Sequence, residues 1–130
     1  MSVLGDLVVL DRETGLVWQR NVSSSYSVSF YDAEAICHTD CTSGRYGWRL
    51  PTTEELMSLA NIDPNSPDHL FPGHPFNIDV TGAGYWTSTT LIDNLAKVVY
   101  FDRMGVGYED KMTGHRLWCV RGGHGYDGKR

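Results

Sequence analysis

Apolar and polar residues at the start of the chain follow the pattern of a β-hairpin. The apolar runs 7–10 and 16–19 flank a polar turn over residues 11–15. That turn ends in Gly15, where a positive φ angle costs least. The sequence therefore predicts that the domain begins with two paired strands.

The next periodic segment predicts a short first helix. Ala33, Ile36 and Cys37 recur at helical spacing and share one face. Ser29 is placed to cap this helix, and Asp32 follows three residues later. The helix is expected to end at Thr42–Gly44.

A corner and a second helix follow. Pro51 biases Leu50 away from helical geometry, so the chain before it is extended. Thr52 and Glu55 have the spacing of a capping box, which marks the start of a helix. The buried face of this helix is predicted to consist of Leu56, Leu59 and Ala60.

The second half of the chain changes from a long loop to short strands. Residues 61–84 contain four of the five prolines and little periodicity. Aromatic and β-branched residues then predict strands at 84–90, 96–101, 106–108 and 117–121, with turns at 91–94 and 102–105. We expect an α+β fold in which these late strands form an antiparallel meander, with Cys119 in its last strand.

Composition and charge fit one domain over residues 1–123, followed by a polar tail over 124–130. The chain has 130 residues, 41% hydrophobic content and a net charge of −5. An acidic chain without a basic run argues against nucleic-acid binding. No apolar stretch approaches the roughly 20 residues that span a bilayer, so no membrane span is predicted.

Three cysteines permit one disulfide and leave one thiol over. Cys37 and Cys41 lie four residues apart without a second pair of ligands nearby, which does not fit a zinc site. A long-range bridge from one of them to Cys119 is favoured, and it would place the protein in an oxidising compartment.

The long loop carries the residues that could bind a metal. Asp63, Asn65 and Asp68 offer oxygen ligands to calcium, but no glutamate follows at a spacing that completes such a site. Asx–Pro turns produce the same residues. We therefore expect no cofactor, with calcium as the alternative.

Five motifs occur in an order that resembles a known family. They are Gly15–Gln19, Ala33–Cys37, Trp48–Thr52 with Glu55–Leu56, Tyr85–Thr89 and Cys119–Gly122. Over residues 7–123 the chain resembles the Lcl C-terminal domain, a bacterial family named after a collagen-like adhesin. The resemblance implies a C-type lectin-like fold, in which both termini pair in one sheet, and a secreted or cell-surface location.

The resemblance also implies a disulfide from helix one to the final strand. It favours Cys37 as the partner of Cys119, which leaves Cys41 as the free thiol. Cys41 stays an alternative partner, because one helical turn separates it from Cys37. The four tryptophans lie in the shared motifs and are predicted to be core residues: Trp18, Trp48, Trp86 and Trp118.

The function implied by the resemblance is non-catalytic recognition or adhesion on a surface. We expect a glycan ligand, including sulfated glycans, and the named adhesin suggests a homotrimer. The net negative charge disfavours polysulfated chains, so such binding needs a local basic patch. The triplets Glu-Pro-Asn, Gln-Pro-Asp and Trp-Asn-Asp, with which calcium-dependent lectins hold sugars, do not occur in the chain.

Two other functions remain open. The first is a protein-binding display domain of the variable receptor-binding type found on phage and bacterial surfaces. The second is a catalyst related to formylglycine-generating enzymes, but neither a cysteine pair nor a three-histidine iron site is evident. Loop 61–84 and the late turns are the predicted ligand-binding region, since binding residues concentrate on loops. The candidate residues are Asn94, Arg103, Tyr108, Glu109, Asp110, Lys111, Thr113, His115 and Arg116.

Overall fold

The structure is a computed structural model, and it describes residues 2–4, 7–22, 27–39, 47–60, 70, 74–76, 78, 84–92, 94–101 and 105–122. The tail 124–130 and most of loop 61–84 lie outside the described residues. So do Cys41, Arg103 and the calcium candidates Asp63, Asn65 and Asp68. The elements in chain order are β1 (Ser2–Leu4), β2 (Val8–Leu10), β3 (Leu16–Gln19), α1 (Phe30–Thr39), α2 (Thr53–Met57), β4 (Gly84–Leu91), β5 (Leu95–Tyr100), β6 (Gly105–Asp110) and β7 (Val120–Gly122).

The strands form two antiparallel sheets. One has the order β1-β2-β3-β7, so the first and last strands of the described chain share a sheet. The other is the β4-β5-β6 meander. The predicted hairpin is confirmed, with Val9 opposite Trp18, and Gly15 has a φ of 78° in its turn. The α+β class is therefore confirmed.

The final segment departs from the prediction. Of residues 117–121, only Val120 and Arg121 lie in a strand, and that strand pairs with β3 and not with the meander. Cys119 precedes it. The local apolar pattern of this segment indicated an extended chain, but the choice of partner strand depends on contacts distant in sequence.

Both helix starts follow the predicted caps. The Ser29 hydroxyl accepts a hydrogen bond from the Asp32 amide at 3.2 Å. At α2, the Thr52 hydroxyl accepts from the Glu55 amide, and the Glu55 carboxylate accepts from the Thr52 amide at 2.9 Å. Helix α2 ends at Met57, so the predicted core residues Leu59 and Ala60 lie beyond it. Leu59 is nonetheless fully buried.

Aromatic side chains fill the space between the elements. All four tryptophans are at most 1% exposed, which confirms their predicted place in the core. Trp18 and Phe76 both pack edge-on against Trp118, at ring-centroid distances of 5.3 and 4.8 Å. Trp86 donates its indole N–H to the Val28 carbonyl at 2.8 Å. Burial of these large rings is a major stabilising contribution, although the Trp18 indole N–H has no hydrogen-bond partner among the described residues.

The predicted disulfide between Cys37 and Cys119 is present. The two Cα atoms lie 5.6 Å apart, and both residues are fully buried. The bridge joins the buried face of α1 to the residue that immediately precedes β7. It thereby ties the helix to the sheet that contains the first and last strands, β1 and β7.

Arg49 links the second helix to the last strand. Its guanidinium forms two hydrogen bonds with the Glu55 carboxylate, at 2.8 and 3.0 Å, and a third with the Gly122 carbonyl at 2.9 Å. Burial alone raises the pKa of Glu55, but the bonds from Arg49 and Thr52 outweigh it, so the pKa is lowered. The ion pair holds the capping residue of α2 beside β7.

Candidate functional site

A corner of polar and aromatic side chains forms where the β4–β5 turn, the end of β6 and the start of α1 meet. The Lys111 amide donates to the Asn94 carbonyl, and the Phe30 amide donates to the Lys111 carbonyl, both at 2.9 Å. These main-chain bonds bring together three segments that are distant in sequence. We call the side chains displayed there the turn surface: Tyr31, Asn94, Asp110, Lys111 and Thr113.

Lys111 and Tyr31 form the centre of the turn surface. The Lys111 ammonium lies 4.9 Å from the ring centroid of Phe30 and 5.6 Å from that of Tyr31. Phe30 is buried, whereas Tyr31 is 50% exposed. The two rings thus hold a positive charge beside an exposed aromatic face through cation–π attraction.

The Asp110–Thr113 turn supplies the surrounding oxygen atoms. The Asp110 carboxylate accepts the Met112 amide at 2.9 Å, and the Asp110 carbonyl accepts both the amide and the hydroxyl of Thr113, at 2.9 and 2.7 Å. These bonds fix the turn locally. The side chains of Asp110, Thr113 and Asn94 are all exposed.

A second group of side chains packs on the other face of the meander. The Tyr100 hydroxyl donates to the Glu109 carboxylate at 3.0 Å, and the other Glu109 oxygen lies 3.8 Å from Nε2 of His115. The His115 ring packs edge-on against Trp86, with centroids 4.9 Å apart. Burial lowers the pKa of His115, and the Glu109 carboxylate only partly opposes this. The arrangement favours a neutral imidazole.

The predicted ligand residues therefore divide into separate groups. Asn94, Asp110, Lys111 and Thr113 share the turn surface. Glu109 and His115 pack together on the other face of the meander. Tyr108 lies on β6, with its ring 5.4 Å from the Lys97 ammonium. Arg116 is half-buried, and its main chain pairs with β4 through Gly84 and Trp86. Arg103 lies outside the described residues.

The prediction missed Tyr31. Tyr31 follows the buried Phe30 on α1, so the helical period places it on a different face from the core residues. That signal identifies Tyr31 as an exposed aromatic residue. It does not reveal Lys111 as its neighbour, because the contact joins residues 80 positions apart in the sequence.

Two large apolar side chains border the turn surface. Met112 is 73% exposed, and Ile92 in the β4–β5 turn is 70% exposed. Ile92 also has a φ of 50°, in the left-handed region that β-branched residues rarely adopt. A strained, exposed isoleucine contributes little to the stability of the fold.

Within the described ranges, no group of three or more histidine, cysteine, aspartate or glutamate side chains is placed to hold a metal ion. Among the same residues, no helix has the length and apolar character needed to cross a membrane.

The described part of the chain forms a small disulfide-linked α+β domain with a polar and aromatic surface on its turns. It contains two antiparallel sheets, two short helices and one buried disulfide. The chain belongs to the Lcl C-terminal domain family, whose sequence profile matches residues 7–121. The predicted family is thereby confirmed. No curated protein matches the chain.

Proposed function

We propose that this domain is a non-catalytic recognition module of the cell exterior that binds glycans, sulfated glycans included, at the turn surface. The observation that supports this best is the exposed Tyr31 ring with the Lys111 ammonium beside it. An aromatic face suits the apolar side of a sugar ring, and the ammonium suits a sulfate or carboxylate group. Asn94, Asp110 and Thr113 add an amide, a carboxylate and a hydroxyl for sugar hydroxyls.

Other features of the domain support the proposed location, fold and non-catalytic role. A buried disulfide fits a secreted or cell-surface location, because such bonds persist in oxidising compartments. The pairing of β3 with β7 and the bridge from α1 to the residue before β7 support a C-type lectin-like fold. The bridge also occupies Cys37, so one of the three cysteines remains for thiol chemistry, which argues against a mechanism that needs two.

A glycan array probed with the wild-type domain tests the proposed ligand class. We expect binding to a subset of glycans, and at least tenfold weaker binding by the Tyr31→Ala and Lys111→Ala variants. Tyr108→Ala is the matched control, because it removes an exposed tyrosine that lies outside the turn surface. Equal loss with Tyr108→Ala, or loss only with changes in the hairpin turn at 11–15, would place the site elsewhere.

The same array also tests whether calcium is needed. The turn surface has one charged carboxylate, Asp110, and the chain lacks the sugar-binding triplets of calcium-dependent lectins. We therefore expect binding to persist when calcium is removed with a chelator. Binding that requires added calcium would contradict the proposed mode of recognition.

A protein ligand is the second candidate. The exposed side chains of Ile92 and Met112 favour it, because aliphatic groups contribute to protein interfaces more than to sugar binding. Backbone strain at Ile92 fits a residue kept for contact with a partner. An Ile92→Asn variant that keeps glycan binding but loses binding to a surface protein would support this alternative. The family resemblance suggests a homotrimer, and sedimentation of the wild-type domain distinguishes it from a dimer.

A further inference from the structure

Strand β6 is an edge strand. Within the described part of the chain it pairs with β5 on one side, from Gly105 opposite Tyr100 to Asp110 opposite Leu95, and no strand or isolated bridge occupies its other side. Edge strands expose a row of main-chain donors and acceptors that can pair with another chain. Natural edges are often blunted by proline, charged side chains or a bulge. The segment Gly105–Asp110 contains no proline, its register with β5 is continuous, and its two charged residues, Glu109 and Asp110, lie at its C-terminal end.

The register shows which main-chain groups face outward. Lys111 donates its amide to Asn94, so these two residues form a hydrogen-bonded pair of the antiparallel ladder. Such pairs alternate with non-hydrogen-bonded pairs, so Glu109 and Gly107 also direct their N–H and C=O groups towards β5. Val106 and Tyr108 direct theirs away from β5. We call these outward groups of Val106 and Tyr108 the β6 edge.

The side chains along this strand leave the β6 edge accessible. Val106 and Tyr108 lie on one face of the strand, and each is 41% exposed. The opposite face carries Gly107, where an added Cβ atom would meet nothing closer than the Glu109 carboxylate at 4.0 Å. Another strand can therefore approach without displacing a side chain at the centre.

We propose that the β6 edge binds the β6 edge of a second copy of this chain, joining two meanders into one antiparallel sheet across a two-fold axis. In the register centred on Gly107, Val106 of each copy lies opposite Tyr108 of the other. Both are outward-facing residues, so each pair exchanges two main-chain hydrogen bonds. Pairs of an aromatic with a β-branched residue are also among the favourable cross-strand pairs.

The charges and the glycines support a second copy as the occupant. In this register Glu109 lies opposite Gly105, so no like charges face each other between residues 105 and 109. Gly107 meets Gly107 on the two-fold axis, so no side chain at the centre has to be ordered or repacked when the strands meet. Shifting the register by two residues places Glu109 opposite Gly107 and sets the two Tyr108 rings against each other. The centred register alone pairs each aromatic with a small apolar side chain.

Two consequences separate this proposal from other assemblies. The contact is isologous and closes at two copies, so it predicts dimers and not the homotrimer suggested by the family resemblance. The paired strands are short and form a small interface, so we expect weak, reversible association.

Sedimentation analysis of the wild-type domain tests the association. Protein concentrations from about 10 µM to about 1 mM cover the dissociation constants expected of small interfaces. We expect the average mass to rise from the monomer towards the dimer. Val106→Pro removes one outward N–H and leaves the ladder to β5 intact. It should weaken association at least tenfold, while Val106→Thr, which keeps the N–H and the shape, should not. Tryptophan fluorescence checks that both variants are folded.

A covalent trap tests the register. In a Cys41→Ser background, Gly107→Cys places two thiols on the axis at the Cα separation of a non-hydrogen-bonded pair, about 4.5 Å, which a disulfide can span. We expect a cross-linked dimer under mild oxidation with Gly107→Cys, and none with the control Ser88→Cys, which changes an exposed residue of β4. A wild-type mass that stays at the monomer, a trimer, or association unchanged by Val106→Pro would overturn the proposal.

Discussion

His115 shows how one residue changes role between sequence and structure. Its position between Thr113 and Arg116 suggested a ligand contact, but its side chain packs on Trp86 and faces Glu109. Its main chain also exchanges two hydrogen bonds with Val28, each 2.9 Å long. The residue therefore anchors the segment before α1 to the meander.

A pH dependence of stability follows from this burial. The pKa of His115 is lowered from its ordinary value of 6.5. The unfolded chain therefore binds a proton near pH 6.5 that the folded protein takes up only at lower pH, so the free energy of unfolding falls as pH drops through that window. The loss is complete below the pKa of the folded state. Urea denaturation at several pH values measures it.

The His115→Phe variant isolates this contribution. Phenylalanine keeps a ring against Trp86 and has no titrating group, so its free energy of unfolding should vary less between pH 7 and pH 5 than that of the wild type. His38→Phe is the control, because His38 is exposed on α1. An equal flattening in the control would assign the pH dependence to another cause. Glu55, whose pKa is lowered from 4.5, contributes only at more acidic pH.

At the scale of elements, two glycines of the meander differ in whether they can be replaced by a residue with a side chain. A Cβ atom at Gly84 would overlap the Cγ1 atom of Val98 and lie 2.8 Å from the Tyr100 ring, whereas at Gly107 the nearest atom would be a Glu109 carboxylate oxygen 4.0 Å away. Gly84→Ala should destabilise the domain by about 1–3 kcal/mol, the usual cost of overpacking. Gly107→Ala should be neutral or slightly stabilising. Thermal unfolding of the two variants compares them directly, and equal melting temperatures would contradict the packing described for β4.

The elements that local signals specify were predictable from the sequence. The hairpin, both helix caps and the late strands depend on residues within a few positions of each other. The pairing of β7 with the N-terminal sheet was implied only by the family resemblance, and β1 was not predicted, because each depends on a partner chosen by tertiary contacts.

The candidate site was predictable only in part. Residues 108–116 were treated as one surface, although the two-residue period of a strand places Glu109 on the opposite face from Tyr108 and Asp110. Strand alternation alone would have separated them. The approach of Tyr31 to Lys111 could not be deduced, since no local pattern connects the start of α1 to the end of β6.

At the scale of the whole molecule, the disulfide closes most of the chain into one loop. Cys37 and Cys119 are separated by 82 positions. On the chain-entropy estimate, a loop of this length contributes about 4–5 kcal/mol, chiefly by restricting the unfolded state. The Cys37→Ala, Cys119→Ala double variant should lose a comparable free energy of unfolding in urea denaturation.

The Cys41→Ser variant is the matched control for the disulfide. It removes a cysteine without opening the bridge, so we expect its stability to stay near that of the wild type. A large loss in this variant, or none in the double variant, would show that the bridge does not provide the stabilisation.

The position of the bridge beside β7 also determines how the domain responds to mechanical tension. A pull on the C-terminal end of β7 can detach Gly122, Arg121 and Val120 from β3, but the next residue is Cys119, which is covalently joined to α1. Residues 38–118 lie inside the covalent loop, so force transmitted between the two ends passes through the disulfide and does not extend them. The meander, with Asn94, Asp110, Lys111 and Thr113 of the turn surface, therefore keeps its shape while the domain is stretched, whereas Tyr31 lies outside the covalent loop.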